Sequence, residues 1–129
     1  MAKLSIRTLL PAIAAVASFV AAPALAADLK LSNKWRVEVS EGAKSDGTIL
    51  FRVTTKDGQP VDVPVAIKDG TSENHVARTI RDAFRATLDK EEFHSETDDG
   101  EDVLLKKRKG PNFELKLVES TVKATRINV

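Results

Sequence analysis

The sequence predicts a small α+β domain in which an antiparallel sheet of about six strands carries one amphipathic helix on a face. Over most of the chain after residue 28, apolar residues alternate with polar ones, as in half-buried strands. One internal segment instead repeats its apolar residues at helical spacing. The expected order is β-β-β-α-β-β-β, and residues 27–129 are expected to form a single domain.

The first 26 residues have the composition of a cleavable secretory signal peptide. Lys3 and Arg7 give a positively charged start, residues 9–20 are an apolar run, and Ala24 and Ala26 match the A-x-A cleavage pattern. The apolar run is shorter than the ~20 residues that span a bilayer as a helix. We therefore expect cleavage after Ala26 and no membrane anchor in the mature chain.

Composition restricts the compartment and the class of partner. The chain has no cysteine, and so lacks both a lipoprotein attachment site and the disulfides common in small eukaryotic secreted domains. It also has no Asn-x-Ser/Thr glycosylation acceptor. These absences favour a bacterial periplasmic or secreted protein. Without residues 1–26 the chain has 18 basic and 19 acidic side chains, a net charge of −1, so no nucleic-acid partner is expected.

Three strands are predicted before the helix. The first runs from Leu29 to Val39, with a slip in its alternation at Asn33-Lys34 that indicates a bend or bulge. The polar loop Glu41–Gly47 separates it from a hairpin whose strands contain residues 49–53 and 61–67. Trp35 lies in the apolar phase of the first strand, so we expect it in the core.

The turn Lys56-Asp57-Gly58 predicts the register of that hairpin. A three-residue loop with a left-handed Gly58 places apolar residues opposite one another, whereas a two-residue loop breaks every apolar pair. The expected pairs are Val53 with Val61, Phe51 with Val63 and Ile49 with Val65. Pro60 and Pro64 lack a backbone donor, so the second strand of the hairpin is expected at a sheet edge.

The helix is predicted from Thr71 to Leu88. Thr71 or Ser72 can cap its N-terminus, and Glu73 suits the positive end of the helix dipole. Ala77 and Leu88 flank the apolar stripe that should pack on the sheet. The stripe consists of Val76, Ile80, Ala83, Phe84 and Thr87.

The last third of the chain is predicted to return to strands. Segments 92–97 and 103–108 flank a second glycine turn, Asp98-Asp99-Gly100, whose register would place Phe93 opposite Leu105. A strand over 113–118 and a weaker one ending at residue 129 complete the sheet.

Two groups of basic residues are candidate contacts for an anion or a partner. The first is the run Lys106-Lys107-Arg108-Lys109, which could bind lipopolysaccharide, an acidic glycan or nucleic acid. The predicted register sets Glu91 and Glu92 against Lys107 and Lys106, so we favour a strand whose charge is compensated within its own hairpin. The second is Arg78, Arg81 and Arg85, which share the polar face of the helix.

That arginine face has two interpretations, a docking face or an ordinary solvated surface. Asp82 is spaced to pair with Arg78 and Arg85, and Asp89 with Arg85, which favours the solvated surface.

No pattern of catalytic or metal-binding residues is predicted. The acidic turn 98–102 lacks the ligand spacing of a calcium-binding EF-hand loop. His75 and His94 have neither metal-site spacing nor further recognisable ligands. There is no cysteine nucleophile, G-x-S-x-G motif or glycine-rich phosphate loop. We therefore assign no catalytic residue, cofactor or metal.

Together these features predict an exported, non-enzymatic binding module of the bacterial periplasm or extracellular space. The valine-rich hairpin offers a sheet edge to which another extracytoplasmic protein could add a strand. One alternative is an inhibitor of a secreted or periplasmic enzyme. Another is a small secreted hydrolase that uses His75 and His94 with nearby carboxylates. The sequence predicts no particular ligand or oligomeric state.

Overall fold

The computed structural model describes residues 28–129. The expected signal peptide over residues 1–26 lies outside the described residues. The described chain forms seven strands and one helix. In chain order these are β1 (Lys34–Ser40), β2 (Gly47–Thr55), β3 (Val61–Ile67), α1 (Glu73–Thr87), β4 (Phe93–Asp98), β5 (Asp102–Lys107), β6 (Phe113–Ser120) and β7 (Arg126–Asn128). The α+β class is confirmed.

The strands form two antiparallel sheets, where the sequence predicted one. The four-stranded sheet has the order β4-β5-β1-β7, and the three-stranded sheet has the order β3-β2-β6. The division arises because β1 pairs with β5, whereas β2 pairs with β6. Among residues 28–129, no helix has the length and apolar character needed to cross a membrane.

The chain segment that leads into β1 is hydrogen-bonded to both sheets. Before the segment bends at Asn33, Ser32 forms an isolated antiparallel bridge with Phe113 at the start of β6. After the bend, β1 continues in the four-stranded sheet, and Trp35 donates from Nε1 to the Phe113 carbonyl oxygen at 2.9 Å. The bend is thus where the sequence predicted it. Before the bend, the strand expected to start at Leu29 is reduced to the single bridge of Ser32.

The predicted register of the β2–β3 hairpin is confirmed. Val53 pairs with Val61, and the other two expected apolar pairs are also formed. The turn itself differs, because Gly58 does not have a positive φ. Instead its N–H donates to the Thr55 carbonyl oxygen at 3.2 Å, a tight turn that does not need a left-handed residue at this point.

β3 lies at the edge of its sheet, as its prolines predicted. Pro64 pairs with Leu50 of β2. On β2, Thr48 directs both its N–H and its carbonyl oxygen toward Thr121, on the β6 side. Because the direction of the backbone N–H and C=O groups alternates along a strand, those of Leu50 also point toward β6. Leu50 therefore needs no hydrogen-bond donor from Pro64 opposite it on β3. The open side of β3 therefore lacks an N–H at Pro64.

The predicted register of the β4–β5 hairpin is wrong by two residues. Phe93 pairs with Lys107, and Leu105 pairs with Ser95. The turn is centred on Gly100, one residue later than predicted, because Asp99 and Gly100 both adopt left-handed conformations with φ of 53° and 79°. A shift of two residues leaves every side chain on its predicted face, so Phe93 still points into the core.

α1 begins after Ser72, whose side chain caps it by accepting a hydrogen bond from His75 N. The helix contacts β3 of one sheet and β1, β4 and β5 of the other. Thr87, predicted in the apolar stripe, is exposed, and the C-cap residue Leu88 is buried beside the stripe instead. Phe84 packs on Phe51 of β2 with ring centroids 5.3 Å apart, so helix and sheets share one core.

Replacing Phe84 with alanine should lower the free energy of unfolding by about 3–5 kcal/mol, because it leaves a cavity against Phe51. Urea unfolding followed by circular dichroism measures this loss. The exposed control Arg78→Ala should change the free energy by less than about 0.5 kcal/mol. A loss below about 1 kcal/mol for Phe84→Ala would contradict the packing described.

Candidate functional site

Three members of the basic run are neutralised within their own hairpin. Lys106 pairs with Glu96 at 2.9 Å, Lys107 with Glu92 at 2.9 Å, and Lys109 with Glu91 at 3.7 Å. Compensation is therefore present, although the displaced register gives Lys106 and Lys107 partners other than those predicted. Lys107 is also enclosed, since its side chain is 2 % exposed and its ammonium lies 4.0 Å from the centroid of the Phe93 ring.

The three arginines of the helix face have different surroundings. Arg81 pairs with Asp82 at 2.9 Å, and Arg78 is exposed. Arg85 instead donates from Nε to the Ser95 carbonyl oxygen of β4 at 3.0 Å. The predicted pairing of Asp89 with Arg85 is absent from the described residues, where the Asp89 carboxylate accepts from Glu91 N.

Arg108 also contacts β4, at the first two residues of the strand. Its Nε donates to the Phe93 carbonyl oxygen at 3.4 Å, and its Nη2 lies 3.1 Å from His94 Nδ1. β4 is the outer strand of its sheet, and the Glu92 carbonyl oxygen accepts from Arg108 N on the β5 side. By alternation, the carbonyls of Phe93 and Ser95 face the open side. Two guanidinium groups therefore cover the open edge of β4.

A groove of about 360 Å³ lies between the C-terminal end of α1 and β4. We call it the basic groove. Its cations are Arg85, Lys90 and Arg108, and no carboxylate lines it. Within residues 28–129, none of these three cations forms an ion pair. The apolar part of the lining consists of Phe84, Leu88, Phe93 and Leu105.

Ser95 supplies a buried hydroxyl to the basic groove. The residue is 3 % exposed, and its Oγ is the one buried side-chain polar atom of the described chain with no hydrogen-bond partner. Leaving such a group unpaired costs about 1–3 kcal/mol. Because this hydroxyl is enclosed in the wall of the groove, a ligand atom could accept its hydrogen bond only if the lining moved slightly. The groove thus combines three cations with an unused donor in its wall.

His94 orients Arg108 through a defined tautomer. A guanidinium can only donate, so His94 Nδ1 must be the acceptor and the ring proton lies on Nε2. From there it is directed at Glu96 Oε1, 3.0 Å away. Hydrogen bonds from Lys106 and His94 lower the pKa of Glu96 below its usual value of 4.5. The imidazole thus links the Glu96 carboxylate to Arg108.

The remaining candidate residues do not join this site. His75 contacts Ser72, with Nδ1 3.0 Å from Oγ, so the two histidines belong to separate networks. Arg36 binds both Asp98 at 2.8 Å and Asp102 at 2.7 Å, which gives the acidic turn a structural partner that the sequence did not reveal. Within residues 28–129, no group of three or more metal-ligating side chains is close enough to hold an ion.

The chain matches no protein-family model, no curated protein and no solved structure at a significant level. Inference about its function therefore starts from the basic groove. Arg85 and Arg108 were singled out from the sequence, whereas Lys90 and Ser95 were missed. The signal for Ser95 is its position, since it is a polar residue in the apolar phase of β4, two residues after Phe93.

Lys107 should contribute more to stability than its neighbour Lys106. Lys107→Ala removes a buried stem, an ion pair and a contact with Phe93, and should lower the free energy of unfolding by about 1.5–3 kcal/mol. The matched variant Lys106→Ala removes an exposed pair and should cost less than about 1 kcal/mol. Urea unfolding of both variants tests the difference, and equal losses would show that the enclosure of Lys107 has no energetic weight.

Proposed function

We propose that this protein is an exported, non-enzymatic binding module that holds an anionic ligand in the basic groove. The observation that carries the proposal is the meeting of Arg85, Lys90 and Arg108 around the unpaired hydroxyl of Ser95, with no carboxylate in the lining. Elsewhere in the described chain, seven other lysines and arginines pair with acids. These are Arg36, Arg52, Arg81, Lys106, Lys107, Lys109 and Arg126.

The geometry of the two arginines suits recognition of an anion. Arg85 uses Nε to bind the Ser95 carbonyl, which holds the guanidinium at the groove and leaves its terminal nitrogens for a ligand. Arg108 is held in the same way by Phe93 and His94. Guanidinium groups that are fixed in advance lose less side-chain entropy on binding, and their forked donors match carboxylate and phosphate oxygens.

Export is the second part of the proposal, and it rests on the sequence. Residues 1–26 combine a basic start, a short apolar run and a small-residue cleavage pattern. The absence of cysteine and of glycosylation acceptors supports the bacterial periplasm or the medium as the destination. The site of action would then be outside the cytoplasm.

The other two kinds of function have weaker support. Addition of a partner strand to β3 would have to proceed without a donor at Pro64. A hydrolase that combines His75 with His94 would have to disengage His94 from Glu96 and Arg108, because both ring nitrogens have partners there. Inhibition of a secreted enzyme remains an alternative form of binding, but no feature of the described residues favours it over a small anionic ligand.

Export predicts a specific mature N-terminus. After expression of the full chain in a bacterial host, the protein recovered from periplasm or medium should have the intact mass of a chain that begins at Ala27 or Asp28. Ala26→Arg removes the small residue at the cleavage site and should leave the precursor uncleaved. Recovery of the wild-type chain with Met1 in the membrane fraction would contradict export by cleavage.

Binding in the basic groove predicts a charge-dependent response to anions. Titration of the exported protein with phosphate, citrate and octanoate, followed by amide NMR, should give saturable shifts around Ser95 and Arg108 for at least one of them. The double variant Arg85→Gln/Arg108→Gln should bind the same anion at least about tenfold more weakly, since each charged hydrogen bond contributes about 1.5–3 kcal/mol.

The matched control for that experiment carries the same change in charge on the helix that contains Arg85. Arg78→Gln/Arg81→Gln should bind as the wild type does, because neither residue lines the groove. If no anion gives saturable shifts, or if both double variants lose binding equally, the proposed site is wrong.

A further inference from the structure

We propose that the ligand of the basic groove is an amphiphile with a single anionic head and an uncharged tail, such as a medium-chain carboxylate or alkyl phosphate. This deepens the proposed function and rests on it. The head would lie between Arg85 and Arg108 at the hydroxyl of Ser95. The tail would extend along Leu88 and Phe93.

The size and lining of the groove indicate an organic ligand and not a small inorganic ion. Its volume of about 360 Å³ falls in the ~300–1,000 Å³ range of small-molecule sites, which are mostly apolar with a few directed polar groups. Edges of four apolar side chains line it, those of Phe84, Leu88, Phe93 and Leu105. Phe84 and Leu105 are fully buried, so the apolar surface that an alkyl chain would cover is that of Leu88 and Phe93, which are 7 % and 9 % exposed. A hydrated anion would leave this surface in contact with water.

A second groove shows where the tail would continue. It has a volume of about 340 Å³, and Leu88 and Phe93 line it as well as the basic groove. Its far side includes Val61 of β3, which is 40 % exposed and is one of the few large apolar side chains left at the surface. The two grooves therefore meet at Leu88 and Phe93, and Val61 is an apolar residue of the second groove.

The charges of the two grooves determine the polarity of the ligand. The basic groove is lined by three cations and no carboxylate, whereas the second groove is lined by Asp89 and Glu92 and no cation. Glu92 already pairs with Lys107, so Asp89 is the acid that would repel a second negative charge on the ligand. One anionic end and one uncharged end therefore fit both grooves, and a dianion with charges at both ends does not.

The test is a chain-length series measured by calorimetry on the exported protein, with every ligand below its micelle concentration. Affinity should rise by about tenfold or more from butanoate through hexanoate to octanoate, since each CH₂ that leaves water favours binding. Octyl phosphate distinguishes a phosphate from a carboxylate head by binding more or less tightly than octanoate. Octanamide has the same chain without the charge, and should bind at least tenfold more weakly than octanoate.

The outcomes separate this inference from the proposed function. If phosphate or butanoate binds as tightly as octanoate, the apolar tail is wrong while the anion site stands. If octanamide binds as tightly as octanoate, the cations are not used and both proposals fail. If no member of the series gives a saturable heat, both proposals also fail.

Two variants test where the head and the tail of the ligand bind. Ser95→Ala should weaken octanoate binding about three- to tenfold without lowering the unfolding midpoint, because Ser95 Oγ has no partner within the described chain. Val61→Asp should weaken decanoate binding and leave butanoate binding unchanged, whereas Ala66→Asp, exposed on the same strand, should alter neither. An unchanged affinity for octanoate in Ser95→Ala overturns the head position, and an unchanged affinity for decanoate in Val61→Asp overturns the tail position.

Discussion

The two sheets depend on one junction, at the backbone carbonyl of Phe113. This oxygen accepts hydrogen bonds from Ser32 N and from Trp35 Nε1, both at 2.9 Å. Phe113 belongs to β6 and Trp35 to β1, so a single acceptor joins strands of different sheets. The Phe113 ring also packs edge-to-face on Phe93 of β4, with centroids 5.2 Å apart. Through these contacts the inner faces of both sheets close over α1 and form one core.

The range of each interaction decided whether the sequence could predict it. The Ser72 cap, the bend at Asn33 and the β2–β3 register are local, and each has its own residue signal. The β4–β5 turn was predicted one residue too early. Both registers keep Phe93 facing inward, so the apolar pattern could not decide whether the turn is centred on Asp99 or on Gly100. The pairings of β1 with β5 and of β2 with β6 join distant segments, and no turn specifies them.

The candidate site was predictable only in part, for a related reason. Arg85 and Arg108 stand out by charge, but the same criterion also selected Arg78 and Lys107. Arg78 lies outside the groove, and Lys107 is enclosed within its hairpin. What distinguishes the pair is the position of β4 at the outer edge of its sheet, beside the end of α1.

The guanidinium groups that cover β4 have a consequence for self-association. An outer strand with bare carbonyls is a template on which another copy can extend the sheet into an aggregate. Arg85 and Arg108 occupy the carbonyls of Ser95 and Phe93 with bulky, charged groups. Pro64 interrupts the donors on β3, and β7 is three residues long. The two arginines that block this edge are also those of the proposed ligand site, so a substitution made to study one role will also disturb the other.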